Sequence, residues 1–264
     1  VVMLLLFALC FVMLYRRSRG AAVIFIVSAL LTHIWFVCTT LEYMTVYIIM
    51  LSVLPLYLRF SDKPSALVVL SCAAGTVTAF ADFLTTEIMT LFVPLVAVLL
   101  VKRYDDKKSA VLTAGCSVSW LGGYILTFIV RWAAASAVTG RGITDIALSS
   151  AGERIGGLPD GIGSHAELFF SSLGANLSML TLTDSKTDIS GTVLWIFIFA
   201  AVCIFIGART NKRRAVPMVL LFIAAVPLVR FGVLMNHSFL HNYFTYRSLM
   251  ISIMAVLGFA WFKE

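Results

Sequence analysis

The chain is 264 residues long, 61% hydrophobic and only 12% charged, with a formal net charge of +7. A water-soluble domain carries about a quarter charged residues, so this composition excludes that class and predicts an integral membrane protein. The positive balance would suggest nucleic acid on a soluble chain; here it reflects lysines and arginines gathered in short loops between apolar runs, and no nucleic-acid partner is expected.

A hydrocarbon core of about 30 Å requires roughly 20 helical residues. In chain order the apolar runs are 1–15, 21–40, 43–59, 65–82, 86–102, 109–132, 192–208, 216–235 and 245–262. They predict an all-α, polytopic transmembrane bundle of about nine spans, read as one helical domain over 1–264. The segment 133–191 is the only long stretch between spans. Its "GGLPDGIG" (156–163) separates two short amphipathic helices, expected at about 142–155 and 164–181. The first residue, Val1, already lies within an apolar run, and no charged region or cleavage site flanks it. That pattern fits a missing upstream segment better than a signal peptide.

Most of the 20 lysines and arginines lie in "RRSRG" (16–20), "RFSDKP" (59–64), "VKRYDDKK" (101–108), "RTNKRR" (209–214) and the final "KE". Each of these follows an odd-numbered run. Because positive loops face the cytoplasm, "TTLEY", "ADFLTTE", the 133–191 segment and "NHSFLHNYFTYR" are expected on the outer face. A multi-pass protein of the bacterial plasma membrane follows, with membrane lipid as its first partner.

Depth along a helix, at 1.5 Å per residue, singles out the costly polar groups. Arg230 lies about 24 Å above Arg214, and Glu87 about 22 Å above Lys102. An ionised group in the core costs at least about 2.5–3.5 kcal/mol and tends to pair, so a Glu87–Arg230 ion pair is predicted, against separate snorkelling to the interface. Asp82, Arg131, Tyr243 and Arg247 fall near the same face. Arg247, at the start of the last helix, opposes the helix dipole unless an anion is present. It therefore fits either a phosphate or carboxylate site or an anchor to lipid headgroups. His237 and His241 share a helical face at four residues apart, yet "HSFLH" lacks the glutamate of a zinc motif and has no third ligand. No metal is expected; the pair is read as hydrogen-bonding or proton-transferring groups. His33, alone on an apolar run, is read as a packing residue. The five cysteines, all within apolar runs, are read as small hydrophobes. Asn176-Leu-Ser and Asn236-His-Ser match the glycosylation sequon.

Three stretches, "DFLTTEIMTLFVPL" (82–95), "WLGGYILTFIVRW" (120–132) and "NHSFLHNYFTYRSL" (236–249), resemble bacterial polytopic membrane proteins that look like the GT-C superfamily. These are multi-span glycosyltransferases that use lipid-phosphate-linked sugars. The resemblance covers roughly residues 65–255. It implies an outward-facing site fed by a polyprenyl-phosphate sugar donor, acting in envelope glycan assembly, with a principal carboxylate upstream of this chain. On that reading Asp82 and Glu87 are the candidate catalytic carboxylates present here. Arg131, Arg230, His237, His241, Tyr243 and Arg247 are the substrate-binding candidates, and no divalent metal is indicated. The competing readings are a transporter or lipid flippase, which would place polar groups at mid-membrane depth, and a non-catalytic assembly partner that uses 133–191 as its contact surface.

Overall fold

The computed structural model of the protein describes residues 1–39, 41–81, 85–155, 157–181 and 218–261. Among the described residues the regular structure is helical throughout. Helices α1 (Val2–Arg17), α2 (Arg19–Leu31), α3 (Leu41–Arg59), α4 (Pro64–Ala81), α5 (Met89–Lys102) and α6 (Asp106–Thr139) follow in order. After them come α7 (Ile143–Ile155), α8 (His165–Ser178), α9 (Val219–Val233), α10 (Met235–Leu240), α11 (Asn242–Thr245) and α12 (Leu249–Trp261). Among the described residues three stretches are long and apolar enough to cross a membrane: Pro64–Ala81, Asp106–Thr139 and the continuous Asn242–Trp261. The shorter apolar helices α2, α5 and α9 have 13, 14 and 15 residues, a rise of about 20–23 Å. The expected run 192–208 and the loop 209–214 lie outside the described residues.

The chain divides into two compact units: residues 1–127, 210–225 and 247–264 form the first, and 128–209 and 226–246 the second. In the first unit α5 is central. Its sequence is apolar all round, as a fully enclosed helix requires, and every residue from Met89 to Leu100 is buried. Helices α2, α3, α4 and α12 pack against it. The Cys10 thiol of α1 donates to the Leu51 carbonyl of α3 at 3.1 Å. Tyr57 of α3 meets Ser71 of α4 at 2.5 Å through their hydroxyls. Cys10 and Cys116 are buried as expected, whereas Cys72 is exposed.

Helices α4 and α6 meet through small residues, the packing device available where hydrocarbon surrounds both partners. A Cβ on Gly75 would lie 2.1 Å from the Trp120 carbonyl oxygen, and one on Gly123 would lie 2.3 Å from the Cys72 carbonyl oxygen. Ser119 Oγ donates to the Val68 carbonyl at 2.8 Å. The other side of α6 carries exposed Val111, Val118, Leu121, Ile125 and Leu126. The helix also runs past the expected end at 132 to Thr139.

The basic loops converge at one end of the first unit. Arg17 donates to the Leu58 carbonyl and, at 3.4 Å, to Ser61 Oγ. Lys102 pairs with Asp62 at 2.6 Å, and the Tyr104 hydroxyl donates to the Ser61 carbonyl at 2.6 Å. The hydrogen bond from Lys102 holds the Asp62 carboxyl below the usual aspartate range. Burial, with the nearby Asp62 charge, raises the Tyr104 phenol. Trp261, at the end of α12, reaches the same end, since its ring fills the space a Cβ on Gly20 would need.

The second unit is built on α8. Its Leu168 and Ala175 form a small core with Phe239, flanked by Ile162 and Met235. The two helices expected at about 142–155 and 164–181 are present as α7 and α8, the latter continued by a 3-10 turn over Met179–Thr181. Ser164 caps α8, accepting from the Glu167 backbone N–H at 3.2 Å. The Gly163 N–H, one residue before the N-cap, donates to the Glu167 carboxylate at 2.9 Å, which adds a second tie at the start of the helix.

Candidate functional site

The end of the first unit opposite its basic loops gathers the groups most costly to bury. Run 21–40 is not one helix: α2 stops at Leu31, and His33 turns into the left-handed region with φ of 54° before a 3-10 segment, Ile34–Thr39. That backbone costs a non-glycine residue roughly 1–2 kcal/mol. It swings the imidazole, itself buried, against Trp35 at 5.2 Å and Phe36 at 6.1 Å between ring centroids. Arg247 lies in the 3-10 turn Tyr246–Ser248 that leads into α12. It is only 6% exposed. Its guanidinium sits 5.8 Å over the Tyr43 ring.

Glu87 is 5% exposed at the same end, just before α5. Thr90 fixes its backbone: the Thr90 hydroxyl donates to the Glu87 carbonyl at 2.9 Å and accepts from Trp120 Nε1 at 3.1 Å and from Thr78 Oγ1 at 2.9 Å. Helices α4, α5 and α6 are thus tied by one hydroxyl directly beneath Glu87. Pro94 has no N–H to give the Thr90 carbonyl, so the helix ladder is interrupted at the same point.

In the second unit the stretch "NHSFLHNYFT" folds into two short helices rather than one. His241 stands at their junction with φ of −117°. Its N–H still donates to the His237 carbonyl at 3.1 Å, which keeps the two rings 4.7 Å apart. His241 stacks on Phe244 at 5.2 Å and meets Tyr243 at 6.2 Å. Tyr243 is exposed. Beneath this turn, Asn176 of α8 donates to the Ser172 and Ser238 carbonyls, both at 2.8 Å, and accepts from Thr245 Oγ1 at 2.6 Å. Ser172 Oγ reaches the Phe231 carbonyl at 3.2 Å, and Asn242 Nδ2 donates to the Ala175 carbonyl at 3.4 Å. Asn176 is 0% exposed. Its amide is therefore structural, and the sequon match at 176 is not a modification site.

Arg230 is buried near the end of α9. Arg131 is exposed, two turns before the end of α6, with its guanidinium 5.4 Å from the Phe128 ring centroid. Glu87 and Arg247 belong to the first unit, and Arg131, Arg230, His237, His241 and Tyr243 to the second. Asp82 lies outside the described residues. Among the described residues no group of three or more His, Cys, Asp or Glu could hold a metal ion.

Sequence reasoning missed the left-handed turn at His33, Tyr43 as a neighbour of Arg247, the Thr90 junction, and Asn176 as the hub beneath the histidines. A left-handed histidine has no local signature, and neutral polar residues on apolar helices read as packing. No family model, curated protein or solved structure matches the chain.

Proposed function

We propose that the chain is a multi-pass protein of the bacterial plasma membrane, of about nine spans, with its basic loops cytoplasmic. In this reading it acts at the outer face as a GT-C-like glycosyltransferase on a polyprenyl-phosphate-linked sugar. The observation that carries the reading is the polarity of the first unit. The ends holding Arg17, Lys102 and Tyr104 are joined to one another, while buried Glu87, His33 and Arg247 occupy the opposite end. A carboxylate there is suited to take a proton from an acceptor hydroxyl. A guanidinium in a water-poor setting is suited to hold a departing phosphate. Arg230, His237, His241 and Tyr243, expected on the outer side of the membrane from their sequence positions, are its candidate substrate-binding groups.

The test is binding of polyprenyl phosphate to the purified full chain, with neutral polyprenol as the control. Arg247→Ala is expected to raise the Kd at least tenfold, equivalent to about 1.4 kcal/mol, and to leave polyprenol binding unchanged. Equal affinity of the variant and the parent would remove Arg247 from the phosphate role. Glu87→Gln is expected to keep the affinity but stop release of polyprenyl phosphate from a polyprenyl-phosphate hexose; undiminished release would remove Glu87 as the base.

A further inference from the structure

We propose that the basic end of the first unit is a binding surface for anionic phospholipid headgroups. Its cations divide into a set that joins helix ends and a set left to meet lipid phosphate. The inference stands whether or not sugar transfer occurs.

The joining set is identified by its contacts. Arg17 is committed to Leu58 and Ser61, Lys102 to Asp62, and the Lys108 ammonium lies 4.5 Å over the Tyr104 ring. The acids at this end are committed as well. Asp62 pairs with Lys102, Asp105 accepts from the Lys108 N–H at 2.8 Å, and Asp106 accepts from the Met218 N–H at 2.9 Å. Arg103 also stands at this end, and Arg16, Arg19, Arg59, Lys63 and Lys107 make up the second set, all of them exposed. Among the described residues none of these five is in an ion pair. Two are held against aromatic rings, Arg19 at 5.7 Å over Tyr15 and Arg59 at 5.9 Å over Phe60, leaving their charged groups presented at the rim.

The position of these cations selects lipid over a soluble polyanion. Four of the five begin where an exposed apolar strip on their own helix ends: Val12 and Tyr15 beside Arg16, Val23 beside Arg19, Leu56 beside Arg59, and Val111 beside Lys107. A ring of cations bounding exposed hydrocarbon matches the boundary between phospholipid headgroups and acyl chains. A nucleic-acid surface would need its charges on a polar face.

The experiment compares retention of phosphatidylglycerol and phosphatidylcholine by the full chain in mixed micelles at low salt, read by native mass spectrometry. The parent is expected to prefer phosphatidylglycerol at least tenfold. The Arg19→Gln/Lys63→Gln/Lys107→Gln variant is expected to fall to within twofold of no preference, with its unfolding midpoint in lipid-free detergent unchanged. Asp62→Asn, which alters only the joining set, is expected to keep the full preference. Should the triple variant fail to fold, Lys107→Gln alone is expected to lower the preference two- to threefold. Equal retention of the two lipids by the parent, or full preference in the neutralised variant, overturns the proposal. So does displacement of phosphatidylglycerol by a short single-stranded RNA at equal charge, which would mark an unselective polyanion surface.

Discussion

The basic end of the first unit and the Asn176 network of the second are both polar assemblies in a hydrocarbon-rich chain, built in opposite ways. The first uses charged side chains from loops, largely exposed, and its Lys102 pairs with an Asp62 side chain that is 82% exposed. The second uses neutral groups on helices, and Asn176, Ser172, Ser238 and Thr245 are fully buried. Exposed charges stay solvated and contribute little to stability. A buried amide must have every hydrogen bond satisfied, so each partner it loses is costly. The loud feature of the sequence is therefore expected to be the weaker support of the fold, and the quiet one the stronger.

The largest effect is expected at Asn176. Asn176→Leu removes two donors and an acceptor at once, leaving the Thr245 hydroxyl only the His241 and Ser238 carbonyls as acceptors, and is expected to cost about 3 kcal/mol. Detergent-titration unfolding measures it; a loss no larger than that of a surface substitution would break the contrast. Gly75→Ala comes next. Its Cβ would meet the Trp120 backbone at 2.1 Å, where backbone rather than a flexible side chain must yield, and about 2 kcal/mol is expected. Thr90→Val keeps the shape and loses the hydroxyl that joins α4, α5 and α6. A loss of about 1 kcal/mol, restored by Thr90→Ser, would show that neutral networks matter in the first unit too.

The smallest effect belongs to the Lys102–Asp62 pair. Because the folded state holds the Asp62 carboxyl below its ordinary range, the contribution is present above the unfolded value of about 3.9 and is lost as pH falls through the lowered folded value. Unfolding midpoints of the parent and Asp62→Asn are expected to differ slightly at pH 7 and to converge well below pH 3.9. A difference that persists in acid would assign the effect to something other than charge.

The same contrast explains what was legible in the sequence. Runs 43–59 and 65–82 became α3 and α4 within a residue or two, because arginine, lysine and proline punctuate them. The amphipathic stretch after "GGLPDGIG" became α8 because Ser164 caps it and Glu167 accepts from the Gly163 N–H. Arg247 was legible as a cation leading the last helix, but its seat over the Tyr43 ring was not, because hydropathy does not encode a contact between segments far apart in the chain. The histidine pair was legible by spacing. The break at His241 and the Asn176 support were not, since both arise from contacts between segments about 60 residues apart.

The proposed topology has the basic end of the first unit in the cytoplasm and the stretch 236–247, by its sequence position, on the outer side of the membrane. Single cysteines placed at Tyr243 and at Lys107 in a cysteine-free background, probed in intact cells with a membrane-impermeant maleimide, test it most directly. The account predicts labelling at 243 from outside and at 107 only after permeabilisation. Labelling at 107 in intact cells, with 243 protected until they are opened, would contradict it.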